Sequence, residues 1–169
     1  MNRTAIALVM ALVPWAAGCR RGPTELVSKE CGAAITMPAP HTYEPYTSGA
    51  EGMSYSTYQY RAVRDGVTYG LVCIPDWKKL MDGREDPEEA LDSFMQGVLM
   101  DGEDKLLSEH DVTVHSIRGH EFMTKRTADM RRNRVYVFPT GVIYTFVIGS
   151  DVGLPPADQF LDSLRRVTP

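Results

Sequence analysis

Two strand-like runs, MSYSTYQYRAV and VTYGLVCI, flank Asp65-Gly66, and this pair constrains the fold more than any other stretch. An Asp-Gly between two such runs supplies the positive φ angles that a tight hairpin turn needs. The first run is rich in Tyr, Ser and Thr, which suits a long, half-exposed strand. In the second, Val67, Tyr69, Leu71 and Cys73 share one face of a period-two strand, so Cys73 points toward a core. A chain built around this hairpin makes an antiparallel sheet.

The rest of the chain supplies partners for it. AAITMPAP reads as a first strand stopped by Pro38 and Pro40. KLLSEHDVTVH, GHEFMTKRTA, NRVYVF and VIYTFVIG read as four more strands. Pro139-Thr140-Gly141 joins the last two as a hairpin loop, with the glycine where a positive φ is expected. DPEEALDSFMQGVLMDG predicts a helix. Asp86 caps its first turn, Pro87 occupies its first position, Glu88 and Glu89 complement its dipole, and Gly102 ends it. Leu91, Phe94, Met95, Val98 and Leu99 recur at three and four and form its buried stripe. LPPADQFLDSLRRV predicts a closing helix that starts near Pro156, buries Phe160, Leu161 and Leu164, and places Arg165 and Arg166 at its negative end. Strands, a helix, strands and a helix predict an α+β domain, an antiparallel sheet of about six to eight strands with two main helices packed on it.

The first nineteen residues read as an export signal. Arg3 provides the positive start, and Ala5 to Ala17 form an apolar run of 13 residues. A membrane-spanning helix takes roughly 20. Pro14 breaks the helix just before the small residues at which a cleavage site is expected. Ala16-Ala17-Gly18-Cys19 resembles the lipobox of bacterial lipoproteins, a small-residue triplet before a lipidated cysteine. The resemblance implies that Cys19 becomes the first mature residue and anchors the chain through lipid in the bacterial cell envelope, outside the cytoplasm. Arg20 points to the outer membrane where the host has two. Ordinary secretion with a free Cys19 is the alternative. The expected organisation is a signal over residues 1–18, a lipid-anchored polar tether over 19–30 and one domain over 31–169.

The 169-residue chain less its first 18 residues leaves 151, with 17 basic and 22 acidic side chains and a net charge of −5. That length suits one ordinary domain. A mild acidic balance argues against general nucleic-acid binding, which needs a strongly basic face. With Cys19 lipidated, two of the three cysteines remain, Cys31 and Cys73, and an even count in an exported chain suits a disulfide. Two separate buried thiols are the alternative.

The order of elements resembles that of PsbP-like bacterial lipoproteins. Their fold is shared by photosystem II extrinsic proteins, a Ran-binding import factor and type VI secretion effector chaperones. The residues that carry the resemblance are ITMPAP, the aromatic strand pair ending VCIPDW, DPEEALDSF opening the central helix, IRGHEF, and the closing ADQFLDSLRRV. Together they span nearly all of residues 31–167. The resemblance implies a sheet with helices packed on its faces. Members of the family mostly bind proteins or act as assembly factors, so it implies no reaction and transfers no binding residue.

Catalytic signatures are absent: there is no G-x-S-x-G, C-x-x-C or H-E-x-x-H and no phosphate-cradling glycine loop. No catalytic residue, cofactor or metal is therefore expected. His110, His115 and His120 are spaced by five, but odd spacing in strands sends His115 to the side opposite the other two unless a turn intervenes, and no cysteine or carboxylate cluster supports zinc.

Surface chemistry offers more. KRTADMRRNR reads as a charged hairpin tip, so Arg131, Arg132 and Arg134 are candidates to meet an acidic partner or anionic headgroups. Tyr43, Tyr46, Tyr55, Tyr58, Tyr60 and Tyr69 crowd into 27 residues, and Tyr58 and Tyr60 would make a protein-binding patch if their face is open. These features favour a non-enzymatic envelope module that binds or assists another protein. The alternative is a small-molecule or lipid-binding module with a pocket between sheet and helix.

Overall fold

The computed structural model describes residues 22–50, 53–75, 77–80, 86–99 and 104–167. The segment expected to be an export signal, Cys19, Gly102 and the acidic residues Asp82 and Glu85 lie outside the described residues. The elements run β1 (Thr24–Ser28), β2 (Ala33–Met37), β3 (His41–Ala50), β4 (Met53–Arg64), β5 (Val67–Pro75), α1 (Trp77–Leu80), α2 (Pro87–Leu99), β6 (Lys105–Val114), β7 (Ile117–Arg126), β8 (Asp129–Phe138), β9 (Gly141–Gly149), α3 (Pro155–Leu161) and β10 (Arg165–Arg166).

The hairpin at Asp65-Gly66 forms as its sequence dictates, with φ of 51° and 79° at the two turn residues. It nucleates a seven-stranded antiparallel sheet in the order β3-β4-β5-β9-β8-β7-β6. A second, three-stranded sheet, β1-β2-β10, packs with α3 on one face of the large sheet. That layer contains Leu26, Ile35, Met37, Phe160, Leu161 and Leu164 against Ala62, Tyr69, Leu71, Tyr136, Ile143 and Val147. On the opposite face Trp77, Ala90, Leu91, Phe94 and Met95 of α1 and α2 cover Phe122, Val135 and Val142. Strands buried on both faces read as nearly continuous apolar runs rather than alternations, as in VIYTFVIG.

The capping expectation for α2 holds: the Asp86 carboxylate accepts a hydrogen bond from the Glu88 N–H at 2.9 Å. Cys31 and Cys73 form a disulfide with Cα atoms 6.0 Å apart, both fully buried, joining the approach to β2 with β5. Four expectations need correction. Residues 24–28, read as tether, form β1, because Leu26 and Ser28 alternate inward against β2. His41–Ala50 forms β3, a strand not anticipated; its edge position tolerates Pro45, which has no N–H to donate. Arg165 and Arg166 extend as β10 beside Ala34 and Ala33 instead of ending the last helix. Gly141 begins β9 and has no positive φ. It is needed for space, since a Cβ there would lie 2.6 Å from Cys31 Sγ and 2.8 Å from the Ile74 carbonyl oxygen.

Candidate docking surface

Arg131, Arg132 and Arg134 do not form an exposed tip. The turn lies at Thr127 and Ala128, and all three arginines sit within β8. Arg132 and Arg134 lie on the α3 side of the sheet. There Arg132 Nε donates to Glu121 Oε1 at 2.8 Å and Arg134 Nε to Glu121 Oε2 at 2.5 Å. Each guanidinium then reaches α3 or its end: Arg134 Nη1 lies 2.6 Å from Asp162 Oδ1, and Arg132 Nη1 pairs with Asp158. Arg134 is 5% exposed and Glu121 3%. Burial alone would raise the Glu121 carboxyl, but hydrogen bonds and charge from Arg132 and Arg134 outweigh it and leave the group below its usual value. Burial likewise opposes the charge on Arg134, and Asp162 and Glu121 overcome it and raise that group. On the other side Arg131 Nη1 pairs with Asp104 at 3.3 Å. The sequence shows a run of basic residues; their carboxylate partners lie 11 to 28 residues away and only the fold assembles them.

The tyrosines divide differently. Tyr58 and Tyr60 of β4 are half-buried against the main core. Tyr43, on the neighbouring edge strand β3, lies over both, with ring centroids 4.9 Å from Tyr60 and 6.5 Å from Tyr58. Burial, then the nearby Glu30 carboxylate, raises the Tyr60 phenol. Tyr43 is 48% exposed, and Tyr46, on the opposite face of β3, is 58% exposed. The open aromatic side chains therefore belong to β3, Tyr43 beside Tyr58 and Tyr60 on one face and Tyr46 on the other. Sequence reasoning missed Tyr43 and Tyr46 as its outer members because β3 itself went unread.

A cleft of about 600 Å³ lies between the start of α2 and the β6–β7 hairpin, lined by Asp86, Glu88, Leu91, Asp111, Arg118 and His120. Its two facing walls are joined by ion pairs. Arg118 reaches Glu88 at 2.9 Å and Asp111 at 3.3 Å, and His120 Nδ1 lies 3.1 Å from Asp111. Hydrogen bonds from His120 and then Arg118 hold the Asp111 carboxyl below its usual value. His110 is on the other side of the sheet, 3.7 Å from Glu121, because it pairs across β6–β7 with Glu121 and not with His120. The expectation that His110 and His120 share a side therefore fails, since they occupy different strands. His115 is in the β6–β7 turn at φ 47°. Among the described residues no group of three or more His, Cys, Asp and Glu side chains is arranged to hold a metal ion. No described helix is long and apolar enough to cross a membrane.

No protein-family profile and no curated protein matches the sequence. Among solved structures, the chain is similar to cyanobacterial PsbP (CyanoP) from Synechocystis sp. PCC 6803, with a TM-score of 0.57 and 12% identity over 89% of this chain and 95% of that one. A Pseudomonas aeruginosa protein of unknown function, PA94, aligns at 13% identity and a TM-score of 0.38 over 82% of this chain and 90% of its own. With its large antiparallel sheet, smaller sheet and packed helices in the same arrangement, the chain has a PsbP-like fold.

Proposed function

We propose that this chain is a lipid-anchored envelope module, held to the membrane through Cys19, that binds or assists another protein without catalysing a reaction. The observation that carries the reading is the aromatic edge: Tyr43 beside Tyr58 and Tyr60 on one face, with Tyr46 on the reverse face of the same outermost strand. Tyrosine supplies large, stiff contact area with a polar tip, which is why it is enriched in interfaces. An outermost strand also presents backbone donors and acceptors to an extended segment of a partner. The ion-paired walls of the α2 cleft make that cleft a poor pocket for an apolar small molecule or lipid, since such pockets are mostly apolar. The test is site-specific photocrosslinking in native membranes, with the probe at position 43 or 46 and a control at Thr113 on the far edge strand. Discrete adducts from 43 and 46 alone are expected. Identical adduct patterns from all three positions, or none from any, would refute the docking surface.

A further inference from the structure

Pro23 leads into β1, whose first residue, Thr24, pairs with Met37 at one end of the sandwich. The strand registers bring three other features to that end: the β4–β5 turn at Asp65-Gly66, the β7–β8 turn at Thr127–Ala128 and the start of α3. Two features stand there. The first is a pair of lysines. Lys105 and Lys125 stand directly opposite each other across β6–β7, both exposed, and neither has an ion-pair partner among the described residues. Like charges directly opposite on neighbouring strands are destabilising, so the pair is a cost unless an anion faces it. Lys125 shares the sheet face of Glu121 and Met123, which is the face that the small sheet covers and on which the chain enters. The second feature is a groove of about 520 Å³, lined largely by apolar groups, among them Pro23, Val67, Leu154 and Phe160, with the ion pair Arg64–Asp65 also in its lining. Leu154, at the rim of this groove, is 45% exposed, which makes the two together one open apolar patch.

Cys19 precedes Pro23 by four residues, a span of at most about 14 Å when fully extended. We propose that this end of the sandwich lies against the anionic surface of the bilayer that holds the Cys19 lipid. Lys105 and Lys125 meet lipid headgroups, and Leu154 with its groove settles at the boundary between headgroups and acyl chains. The inference rests on the lipid anchor proposed above. The short tether leaves this end within reach of the surface. The lysine pair on an otherwise acidic chain gives the field that orients it. The aromatic edge strand then stands sideways to the membrane, open to a partner.

The experiment uses the chain extracted from its own membrane. Intact mass first reports whether Cys19 carries lipid. The lipidated Leu154→Trp chain is then reconstituted into mixed phosphatidylglycerol–phosphatidylcholine vesicles with brominated acyl chains, which quench an indole on contact. The parent, with Trp77 buried, supplies the baseline. Leu154→Trp emission should be quenched, and that of Thr113→Trp, at the opposite end of β6, should not. Adding Lys105→Gln and Lys125→Gln should weaken docking about thirtyfold, the equivalent of roughly 1 kcal/mol for each lysine, and so remove the quenching. Vesicles of phosphatidylcholine alone should do the same. A lipidated chain whose Leu154→Trp emission is equal in brominated and ordinary vesicles overturns the orientation alone. Quenching that survives both lysine substitutions overturns the part assigned to charge. An unmodified Cys19 overturns the anchor, and the orientation with it.

Discussion

Replacing Glu121 with Gln keeps the side chain's shape and removes the charge on which two guanidiniums converge. In the parent, Glu121 is nearly inaccessible and accepts from Arg132 at 2.8 Å and Arg134 at 2.5 Å. The Gln amide would keep one acceptor and turn a donor toward the other guanidinium. Removing one partner of a buried ion pair costs about 3–5 kcal/mol, because the remaining charge stays desolvated and uncompensated. Asp158 and Asp162 still pair with the two arginines from α3, so the lower end of that range, about 3 kcal/mol, is expected. For a domain of this size that shift lowers Tm by about 6–12 °C. Urea denaturation followed by far-UV circular dichroism measures it as a fall in midpoint at unchanged slope. Hydrogen exchange should rise in α3, which the two arginines tie to the sheet. The pH dependence has a definite sign. The folded-state Glu121 carboxyl is held below its usual value. Its contribution is therefore fully present above the unfolded value of about 4.3 and is lost as pH falls through the folded value. The stability gap between parent and Glu121→Gln should accordingly close in acid. A loss below about 1 kcal/mol at neutral pH, the range of an exposed pair, would falsify the assignment of this network as the clamp on α3.

Other outcomes follow from the same geometry. Reducing the Cys31–Cys73 bridge, or replacing both residues with Ala, opens a loop with a sequence separation of 42 and should cost roughly 4 kcal/mol in the chain-entropy model, read as a lower urea midpoint. Gly141→Ala should cost about 1–3 kcal/mol by overpacking, because the added methyl meets a backbone oxygen and the disulfide sulfur, neither of which can swing away. A near-neutral melt would show that β9 shifts to admit it. Cys19→Ser should move the chain from the detergent phase to the aqueous phase or leave it uncleaved, and an unchanged partition would refute lipid anchoring. With the photoprobe at position 46, Tyr43→Asp should abolish the adduct while changing the melting temperature little, since the Tyr43 side chain is about half exposed.

What the amino-acid order determined here was local and periodic. Asp65-Gly66 dictates a hairpin because only certain residues take two consecutive positive φ angles. Asp86-Pro87 starts α2 because both residues suit a helix N-terminus. The inward face of Val67, Tyr69, Leu71 and Cys73 follows from the period of a strand, and it put Cys73 within reach of Cys31. The tertiary structure decided what depends on neighbours distant along the chain. Residues 24–28 and Arg165–Arg166 are too short and polar to read as strands, and they pair only because β2 lies between them. The basic run at Arg131, Arg132 and Arg134 looked like solvated surface because charge is normally exposed. The fold instead draws it inward, with Glu121, Asp158 and Asp162 neutralising Arg132 and the buried Arg134, and Asp104 neutralising Arg131 on the other face. The open aromatic surface passed from Tyr58 and Tyr60 to Tyr43 and Tyr46 for the same reason. A side chain's exposure is set by which strand ends up outermost, and strand order is a long-range property that no local pattern encodes.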